Sequence, residues 1–490
     1  MERSSGILLP VAALPSPYGV GTLGRDAYHF IDFLAAAKQR WWQVLPVGPT
    51  DPLGSPYASS SSFAGNPFLI DLDLLAADGL LRAAELSDAR AGAPGRVDYA
   101  ALRRGRPGLL ALAADRLNEQ DGRAVDEFAA ATPWLRDYAR YAALKRRFGG
   151  DPWTAWPEDI RRREPAALAR CDDALAAEER RVCCVQYLFD RQWRALRDHA
   201  AARGVGLIGD MPFYVAPDSA DVWSEPQFFR LDSDGAPTHV AGVPPDYFSA
   251  EGQLWGNPLY DWDAMARDGF GWWIRRVGGA AARFDVLRID HFRGFDRYWE
   301  VPAGEQTARG GCWRDGPGMA LVGALRGWFP ALRFIAEDLG TPGEGLTKLL
   351  ADSGWPGMKV LEFAFSADEP SSYLPHAYGR TCVCYTGTHD NTPLAAWHRE
   401  ARRRDVNFAK RYLAVSSAAE LRPAILRAGM ASVAELFVAQ IQDWLGLGAE
   451  ARTNTPGTVT GNWQWRLRPG ELTAELARQI AEMTALYGRD

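Results

Sequence analysis

Short apolar runs alternate along the chain with Gly, Pro and Asp clusters and with stretches of helical periodicity. Eight runs recur in this pattern, of which the last is the weakest: residues 6–14, 41–47, 205–209, 284–289, 332–336, 358–365, 381–386 and 433–441. Runs of this length between turn residues are typical of buried strands. Strands that alternate with helices predict a parallel sheet, and about eight such units predict a closed (β/α)8 barrel that occupies residues 1–490.

Three intervals between the runs are too long for simple barrel connections. Residues 76–202 are mostly Ala, Arg, Leu and Glu at helical spacing, so we predict a large, mainly helical insertion after the second strand. Residues 211–280 contain many Pro, Gly and aromatic residues, and we predict that they form an inserted subdomain and lid around the active site. A short insertion is expected at residues 298–330.

Carboxylates follow four of the apolar runs: Asp210, Asp290, Glu337 with Asp338, and Asp390. A single such residue would ordinarily cap the next helix. Four of them favour a shared site, because the C-terminal ends of barrel strands converge on one pocket. Clustered carboxylates repel when they are ionised, which moves their pKa values apart and separates an acid from a base or nucleophile.

Such a cluster serves either divalent metal ions in phosphate chemistry or the cleavage of glycosidic bonds. The phosphate alternative needs a Gly-rich cradle or a Lys near the acids, and no G-x-x-x-x-G-K-[ST] segment occurs. The single G-x-G-x-x-G segment, residues 19–24, lacks a strand directly before it and an acid about twenty residues after it. We therefore interpret residues 19–24 as a loop that leads into the first barrel helix.

The residues beside the acids agree with glycosidic chemistry. Arg288 precedes Asp290 by two positions, so in a strand both side chains point the same way. A neighbouring guanidinium favours the ionised carboxylate that a nucleophile requires, although an ordinary ion pair is the alternative. His291 and His389 each adjoin an acid, and they are either ligands of sugar hydroxyls or structural histidines.

The amino-acid composition limits the possible binding partners and the cellular location of the protein. The net charge of −6 argues against nucleic acid or anionic membranes as partners. The six cysteines form no C-x-x-C pair and the seven histidines show no metal-ligand spacing, so we expect reduced thiols and neither metal nor cofactor. The apolar N-terminus lacks a basic segment and is interrupted by Pro10 and Pro15, so we expect no secretory leader and a cytoplasmic location.

The strand-end motifs resemble those of the α-amylase clan: Asp210-Met-Pro, Arg288-Ile-Asp290-His-Phe, Ala336-Glu337-Asp338-Leu-Gly and His389-Asp390-Asn391. More narrowly, the chain resembles the short bacterial form of the 4-α-glucanotransferases, the amylomaltase or disproportionating-enzyme family. The supporting segments are Ser55-Pro-Tyr57, Phe63-Ala-Gly-Asn66-Pro, Val243-Pro-Pro-Asp246-Tyr-Phe, Gln253-Leu-Trp255-Gly-Asn257-Pro, Asn454-Thr-Pro-Gly-Thr458 and Asn462-Trp463. The resemblance runs from about residue 4 to residue 467.

This resemblance implies transfer of α-1,4-glucan segments between maltooligosaccharides by a retaining double displacement. Asp290 would be the nucleophile, Glu337 the general acid and base, and Asp390 the residue that stabilises the transition state. The implied substrate-binding residues are Tyr57, Asp210, Asp246, Trp255, Arg288, His291, His389, Asn391 and Asn462. Residues 244–258 would form a lid that excludes water and admits sugar, and the chain would be a monomer or a weak homo-oligomer.

Two alternatives stay open at this point: a hydrolase of the same clan, and a non-catalytic glucan-binding protein on a decayed barrel. One segment departs from the family pattern, because Met319-Ala320 replaces more polar or aromatic residues and puts the acceptor-side contacts in doubt. The high aromatic content by itself indicates core packing, and only the placement of particular rings points to a sugar chain. Several rings lie in loops that should surround the acids and are predicted to line a glucan groove: Tyr57, Phe213, Tyr214, Tyr247, Phe248, Trp255 and Tyr260.

Overall fold

Eight parallel strands form a closed barrel in the structure, a computed structural model that describes residues 2–87, 89–90, 94–245, 249–340 and 343–490. The barrel strands are β1 (Ser4–Leu8), β2 (Trp41–Gln43), β3 (Gly206–Met211), β6 (Val286–Ile289), β9 (Arg333–Ala336), β10 (Gly357–Val360), β11 (Cys382–Tyr385) and β12 (Leu436–Gln440). They lie side by side in chain order, and β12 pairs with β1 to close the barrel. Each of the eight predicted runs contains or overlaps one of these strands, so the predicted barrel is confirmed.

Helices surround the barrel and fill its insertions. The helices are α1 (Arg25–Ala36), α2 (Leu72–Ala77), α3 (Tyr99–Ala130), α4 (Leu135–Arg147), α5 (Glu158–Arg161), α6 (Pro165–Ala202), α7 (Ala220–Ser224), α8 (Trp262–Arg267), α9 (Gly271–Ala281), α10 (Arg293–Asp296), α11 (Gly318–Trp328), α12 (Glu344–Ser353), α13 (Leu394–Glu400), α14 (Arg403–Leu413), α15 (Leu421–Ala431), α16 (Ile441–Leu445) and α17 (Ala474–Leu486). Within the described ranges, no helix combines the length and the apolarity needed to cross a bilayer.

The insertion after β2 is helical, as predicted. It contains α2 to α6, and α6 packs along both α3 and α4. The last turns of α6 return to the barrel, where the buried ring of Trp193 lies edge-on to Phe284, two residues before β6. This contact joins the inserted helices to the scaffold that carries the acids.

A second, antiparallel sheet lies outside the barrel, and Trp255 of this sheet contacts His291, which follows the barrel strand β6 by two residues. It consists of β4 (His239–Val243), β5 (Gln253–Pro258), β7 (Arg297–Pro302) and β8 (Cys312–Asp315), in the order β5-β4-β7-β8. Strands β4 and β5 precede β6 along the chain, whereas β7 and β8 follow it. The two segments predicted as separate insertions therefore share one sheet, and hydrogen bonds between β4 and β7 connect them.

The interior of the barrel is filled with side chains that form a packed layer below the active-site end. Fully buried branched side chains fill it: Ile208, Val286, Ile335, Val360, Val383 and Val438. Above them, Arg288 Nε donates to the Met358 sulfur at 3.4 Å. A rigid layer of this kind holds the polar groups at the strand ends in fixed positions.

Arg489 ties the two ends of the chain together. Its guanidinium is fully buried and donates to the carbonyl oxygens of Ser4 at 2.9 Å, Met430 at 2.8 Å and Ala434 at 3.1 Å. Because Ser4 begins β1, these bonds fix the seam where the barrel closes.

Candidate active site

The four predicted acid positions meet at the carboxyl end of the barrel. Asp210 belongs to β3, Asp290 directly follows β6, Glu337 directly follows β9, and Asp390 lies in the loop after β11. Parallel strands bring their carboxyl ends to one face of a barrel, so the sequence order places the four side chains around a single mouth.

Arg288 sits between two of these acids. Its Nη1 donates to Asp210 Oδ1 at 2.6 Å and to Asp290 Oδ1 at 2.9 Å. The guanidinium is almost completely buried, whereas 29% of the Asp290 side chain is exposed at the mouth. Arg288 and Asp290 do point the same way from β6, and the partial exposure leaves Asp290 open to a ligand.

Glu337 is held by backbone donors at both of its oxygens. Oε2 accepts from the His291 N–H at 2.8 Å, and Oε1 accepts from the Leu339 N–H at 2.7 Å. His291 has a φ of 49°, a left-handed conformation that is uncommon for a residue with a Cβ. Strained backbone of this kind is retained where the surroundings enforce it, and here it aims an N–H at the acid.

The two carboxyls differ in their proton affinity. Burial, together with the negative charge of Asp290, raises the pKa of Glu337 to about 7. Burial also raises the pKa of Asp290, but the adjacent Arg288 and His389 oppose that rise. Because Arg288 bonds directly to Asp290, the negative charge of the pair resides on Asp290 and the proton on Glu337.

The His291 side chain lines the site as a neutral ring. Burial lowers its pKa to about 4. Its Nε2 is buried and has no hydrogen-bond partner among the described residues. The Trp255 ring, 38% exposed, meets the imidazole edge-on at 4.9 Å between centroids. The unpartnered Nε2 is thus available to a polar group of a ligand.

Tyr57 is braced from three sides. Its hydroxyl donates to Asp210 Oδ2 at 2.6 Å, and its ring stacks on His389 with the centroids 5.0 Å apart. Trp463 lies against both rings, at 5.7 Å from Tyr57 and 5.8 Å from His389. The sequence interpretation gave Trp463 no role, since only its neighbour Asn462 was chosen as a site residue.

Asp390 is the most accessible of the four acids, with 42% of its side chain exposed. Its Oδ1 accepts from Asn454 Nδ2 at 2.6 Å and lies 3.3 Å from His389 Nε2. Arg452 Nη2 donates to the Asp390 backbone oxygen at 2.6 Å. Neither Asn454 nor Arg452 was predicted as a site residue.

Two of the predicted binding residues hold loop backbone, and a third lies outside the described part of the chain. Asn391 Oδ1 accepts from the N–H and the hydroxyl of Thr388, both at 2.9 Å, so this amide holds its own loop. Asn462 Oδ1 accepts from the Thr455 N–H at 2.9 Å and thereby fixes the segment that carries Asn454. Asp246 lies outside the described residues, as do Tyr247 and Phe248. Sugar binding by Asn391, Asn462 and Asp246 stays a prediction.

Three of the loop aromatics are not ring platforms for a glucan. Phe213, Tyr214 and Tyr260 are all buried, and the first two pack against His291. The sequence placed these rings beside the acids, but it did not show that they support the site from beneath. Tyr57 and Trp255 keep part of their surface open.

The described residues of this site do not include a set of metal ligands. Over the described ranges, no group of three or more His, Cys, Asp or Glu side chains has the arrangement to hold a metal ion. The acids are instead paired with Arg288, with backbone N–H groups and with Asn454. This donor set suits carboxylates that act directly on a substrate.

Comparison with known proteins agrees with this geometry. A family model described as 4-alpha-glucanotransferase matches residues 9–473. The chain is 47% identical to a 4-alpha-glucanotransferase of Thermus thermophilus, over 99% of this chain and 98% of that protein. It is 39% identical to a chloroplastic/amyloplastic 4-alpha-glucanotransferase of Solanum tuberosum, over 100% of this chain and 87% of that protein.

Solved structures give the same result. Amylomaltase from Streptococcus agalactiae, solved in complex with acarbose, superposes with a TM-score of 0.96 at 38% identity, and each chain is covered completely. Amylomaltase from Corynebacterium glutamicum shares the fold with a TM-score of 0.80 at 19% identity, over 100% of this chain and 75% of that one. The chain therefore belongs to the 4-alpha-glucanotransferase family.

Proposed function

We propose that this protein is a 4-α-glucanotransferase that moves α-1,4-glucan segments from donor to acceptor maltooligosaccharides with retention of configuration. The observation that carries the proposal is the asymmetric pair of carboxyls. Asp290 is bonded to Arg288, whereas Glu337 is buried and binds its proton more tightly. A charged carboxylate beside a protonated one is what a double displacement at a sugar requires.

In the first step, Asp290 attacks the anomeric carbon of the donor. The bond from this carbon to the glycosidic oxygen breaks, and Glu337 gives its proton to the leaving 4-oxygen. The products are a covalent glucosyl-enzyme and a shortened glucan with a free 4-hydroxyl. Arg288 supports this step because it stabilises the carboxylate form of Asp290.

In the second step, the 4-hydroxyl of an acceptor attacks the anomeric carbon of the glucosyl-enzyme. Glu337, now a carboxylate, accepts the hydroxyl proton as the new α-1,4 bond forms and Asp290 departs. Two inversions give net retention. A pKa of about 7 lets Glu337 serve as acid and as base near neutral pH.

The remaining residues would hold the reacting sugar. Asp390, accessible and anchored by Asn454, would bind hydroxyls of the distorted ring and stabilise the positive charge that develops in the transition state. His389, packed against Tyr57, lies beside it. His291 would offer its unpartnered Nε2 to a hydroxyl.

Transfer and hydrolysis differ only in the acceptor, so water must be excluded. We propose that residues 244–258, of which 246–248 lie outside the described part of the chain, form the lid that does so, with Trp255 as a sugar platform beside His291. Incubation with maltotriose tests the function. A ladder of longer maltooligosaccharides with release of glucose is expected, whereas shortening alone would favour the hydrolase and no turnover would favour the glucan-binding protein.

The proposal extends to the organisation of the chain around this activity. We propose that the barrel carries a helical subdomain at 76–202, a lid subdomain at 211–280 and a short insertion at 298–330. All six cysteines are free thiols, which agrees with a cytoplasmic location. A monomer or weak homo-oligomer is expected, and activity should survive EDTA.

A further inference from the structure

We propose that Asn454 is a positioning residue for Asp390, and that Arg452 holds the backbones of these two residues in a fixed relative position. The proposal rests on the role given above to Asp390 in the transition state. It assigns a catalytic consequence to a C-terminal segment, residues 452–455, that lies more than sixty positions along the chain from Asp390.

Asn454 contacts the acid loop at two points. Its side-chain Nδ2 donates to Asp390 Oδ1 at 2.6 Å, and its backbone N–H donates to the His389 carbonyl oxygen at 3.0 Å. One residue thus sets both the rotation of the Asp390 carboxylate and the path of the backbone that carries it.

Arg452 connects the same two segments through its guanidinium. Nη2 donates to the Asp390 carbonyl oxygen at 2.6 Å, and Nε donates to the Asn454 carbonyl oxygen at 2.9 Å. Nη1 lies 3.6 Å from Glu400 Oε2, and Glu400 Oε1 accepts from the Thr392 hydroxyl at 3.0 Å. The acid loop, α13 and the C-terminal segment are therefore joined around one side chain.

The segment itself is held from the other side. The Trp463 N–H donates to the Thr453 carbonyl oxygen at 2.7 Å, and Asn462 Oδ1 accepts from the Thr455 N–H at 2.9 Å. Gln442, which is buried, donates to the Thr453 hydroxyl at 3.2 Å. Asn454 is thus flanked on each side by a fixed residue, as a positioning group must be.

An amide suits this task better than a charged donor. It occupies one acceptor site of Oδ1, leaves Oδ2 to the substrate, and adds no charge that would cancel the charge of the carboxylate. Loss of the contact would let the carboxylate rotate, and displacement of a catalytic group by about 1 Å costs up to about 100-fold in rate.

The test compares Asn454→Ala, Asn454→Asp, Asp390→Asn and the double variant Asp390→Asn/Asn454→Ala. Rates are measured with maltotriose and, for the slow variants, with an α-maltosyl fluoride donor. We expect Asn454→Ala to lower kcat about 10- to 100-fold with KM changed less than threefold. In the Asp390→Asn background, Asn454→Ala should cost less than a further twofold, because the group it positions has lost its charge.

The pH dependence of the Asn454→Asp variant distinguishes a positioning role of Asn454 from a merely structural one. The new carboxylate would face Asp390 and His389, with Arg452 beside it, so the two acids would repel when both are ionised. At lower pH a shared proton restores the contact. We expect the loss relative to the parent enzyme to shrink as the pH falls, whereas Asn407→Asp, at an exposed position on α14, should leave the profile unchanged.

The outcomes separate the two claims. If Asp390→Asn is impaired while the Asn454 variants keep the parent kcat, the inference fails and the proposed function stands. The inference also fails if the losses multiply in the double variant, or if Asn454→Asp is impaired equally at every pH with a lowered Tm. If Asp390→Asn keeps the parent rate, the role proposed for Asp390 fails, and the inference falls with it.

Discussion

Replacement of Glu337 by Gln should stabilise the protein at alkaline pH and destabilise it at acid pH. The native state raises the pKa of Glu337 from 4.5 to about 7, so between these values the native state binds more protons than the unfolded chain. Stability therefore falls as the pH rises through this window. At 1.36 kcal/mol per pKa unit, ionisation of Glu337 costs the native state about 3 kcal/mol above pH 7.

The amide of the Glu337→Gln variant removes this cost of ionisation, but it loses a hydrogen bond, which is a smaller cost. Glu337 accepts from the N–H groups of His291 and Leu339, and Gln can accept only one of these bonds while its NH2 faces the other donor. A hydrogen bond lost in this way is worth about 1 kcal/mol. Glu337→Gln should thus be more stable than the parent by about 2 kcal/mol at pH 8, and less stable by about 1 kcal/mol at pH 4.5.

Urea unfolding followed by tryptophan fluorescence at the two pH values measures this difference. The exposed Glu305→Gln is the matched control and should stay within about 0.5 kcal/mol of the parent at both. A Glu337→Gln variant that is less stable at both pH values, or by an amount independent of pH, would refute the assignment of a tightly bound proton to Glu337.

Three further outcomes follow from the contacts of individual residues. Tyr57→Phe removes the 2.6 Å bond to Asp210 and should lower kcat/KM about 10- to 100-fold, as a bond to a charged group is worth about 1.5–3 kcal/mol; an unchanged kcat/KM would show that Asp210 does not need the bond. Arg489→Met leaves the Ser4 and Ala434 carbonyls without this donor and should lower the free energy of unfolding by about 2–4 kcal/mol, with maltotriose turnover per folded molecule retained; a stability equal to that of the parent would contradict its role at the barrel seam. The alkaline limb of the kcat/KM profile should have an apparent pKa of about 7, since the proposed mechanism requires protonated Glu337 in the free enzyme; a limb above pH 9 would assign the acid elsewhere.

The barrel was predictable because its strands are buried on both faces. Parallel strands of this kind form continuous apolar runs that stand out between turn residues. The small antiparallel sheet was not predictable from the sequence. Its strands are partly exposed, and β4 pairs with β7, which follows β6 along the chain whereas β4 precedes it. No local pattern shows that residues 239–243 and 297–302 share a ladder.

The G-x-G-x-x-G segment shows why such a motif needs its context. A Cβ at Gly24 would lie 2.0 Å from the Asp71 carboxylate, and one at Gly21 would lie 1.9 Å from the Val11 carbonyl oxygen. These glycines permit close packing before α1, and the interpretation of a loop that leads into the first helix agrees with this placement.

The site was predictable only as far as strand ends reveal it. Asp210, Asp290 and Glu337 each end an apolar run, so the barrel alone brings them together. Asn454 and Trp463 come from an irregular C-terminal segment whose local sequence gives no sign of its target. Their contacts depend on how the chain returns to the mouth, which only the three-dimensional structure shows.

The central claim is that Asp290 forms a covalent bond to the donor sugar. A Glu337→Gln variant incubated with an α-maltosyl fluoride lacks the base for the second step and should accumulate the glycosyl-enzyme, because fluoride leaves without a protonating acid. Mass spectrometry should find the protein heavier by one maltosyl unit, and peptide mapping should place that mass on Asp290. No adduct, or an adduct on another residue while Asp290→Asn still transfers glucans, would contradict the account.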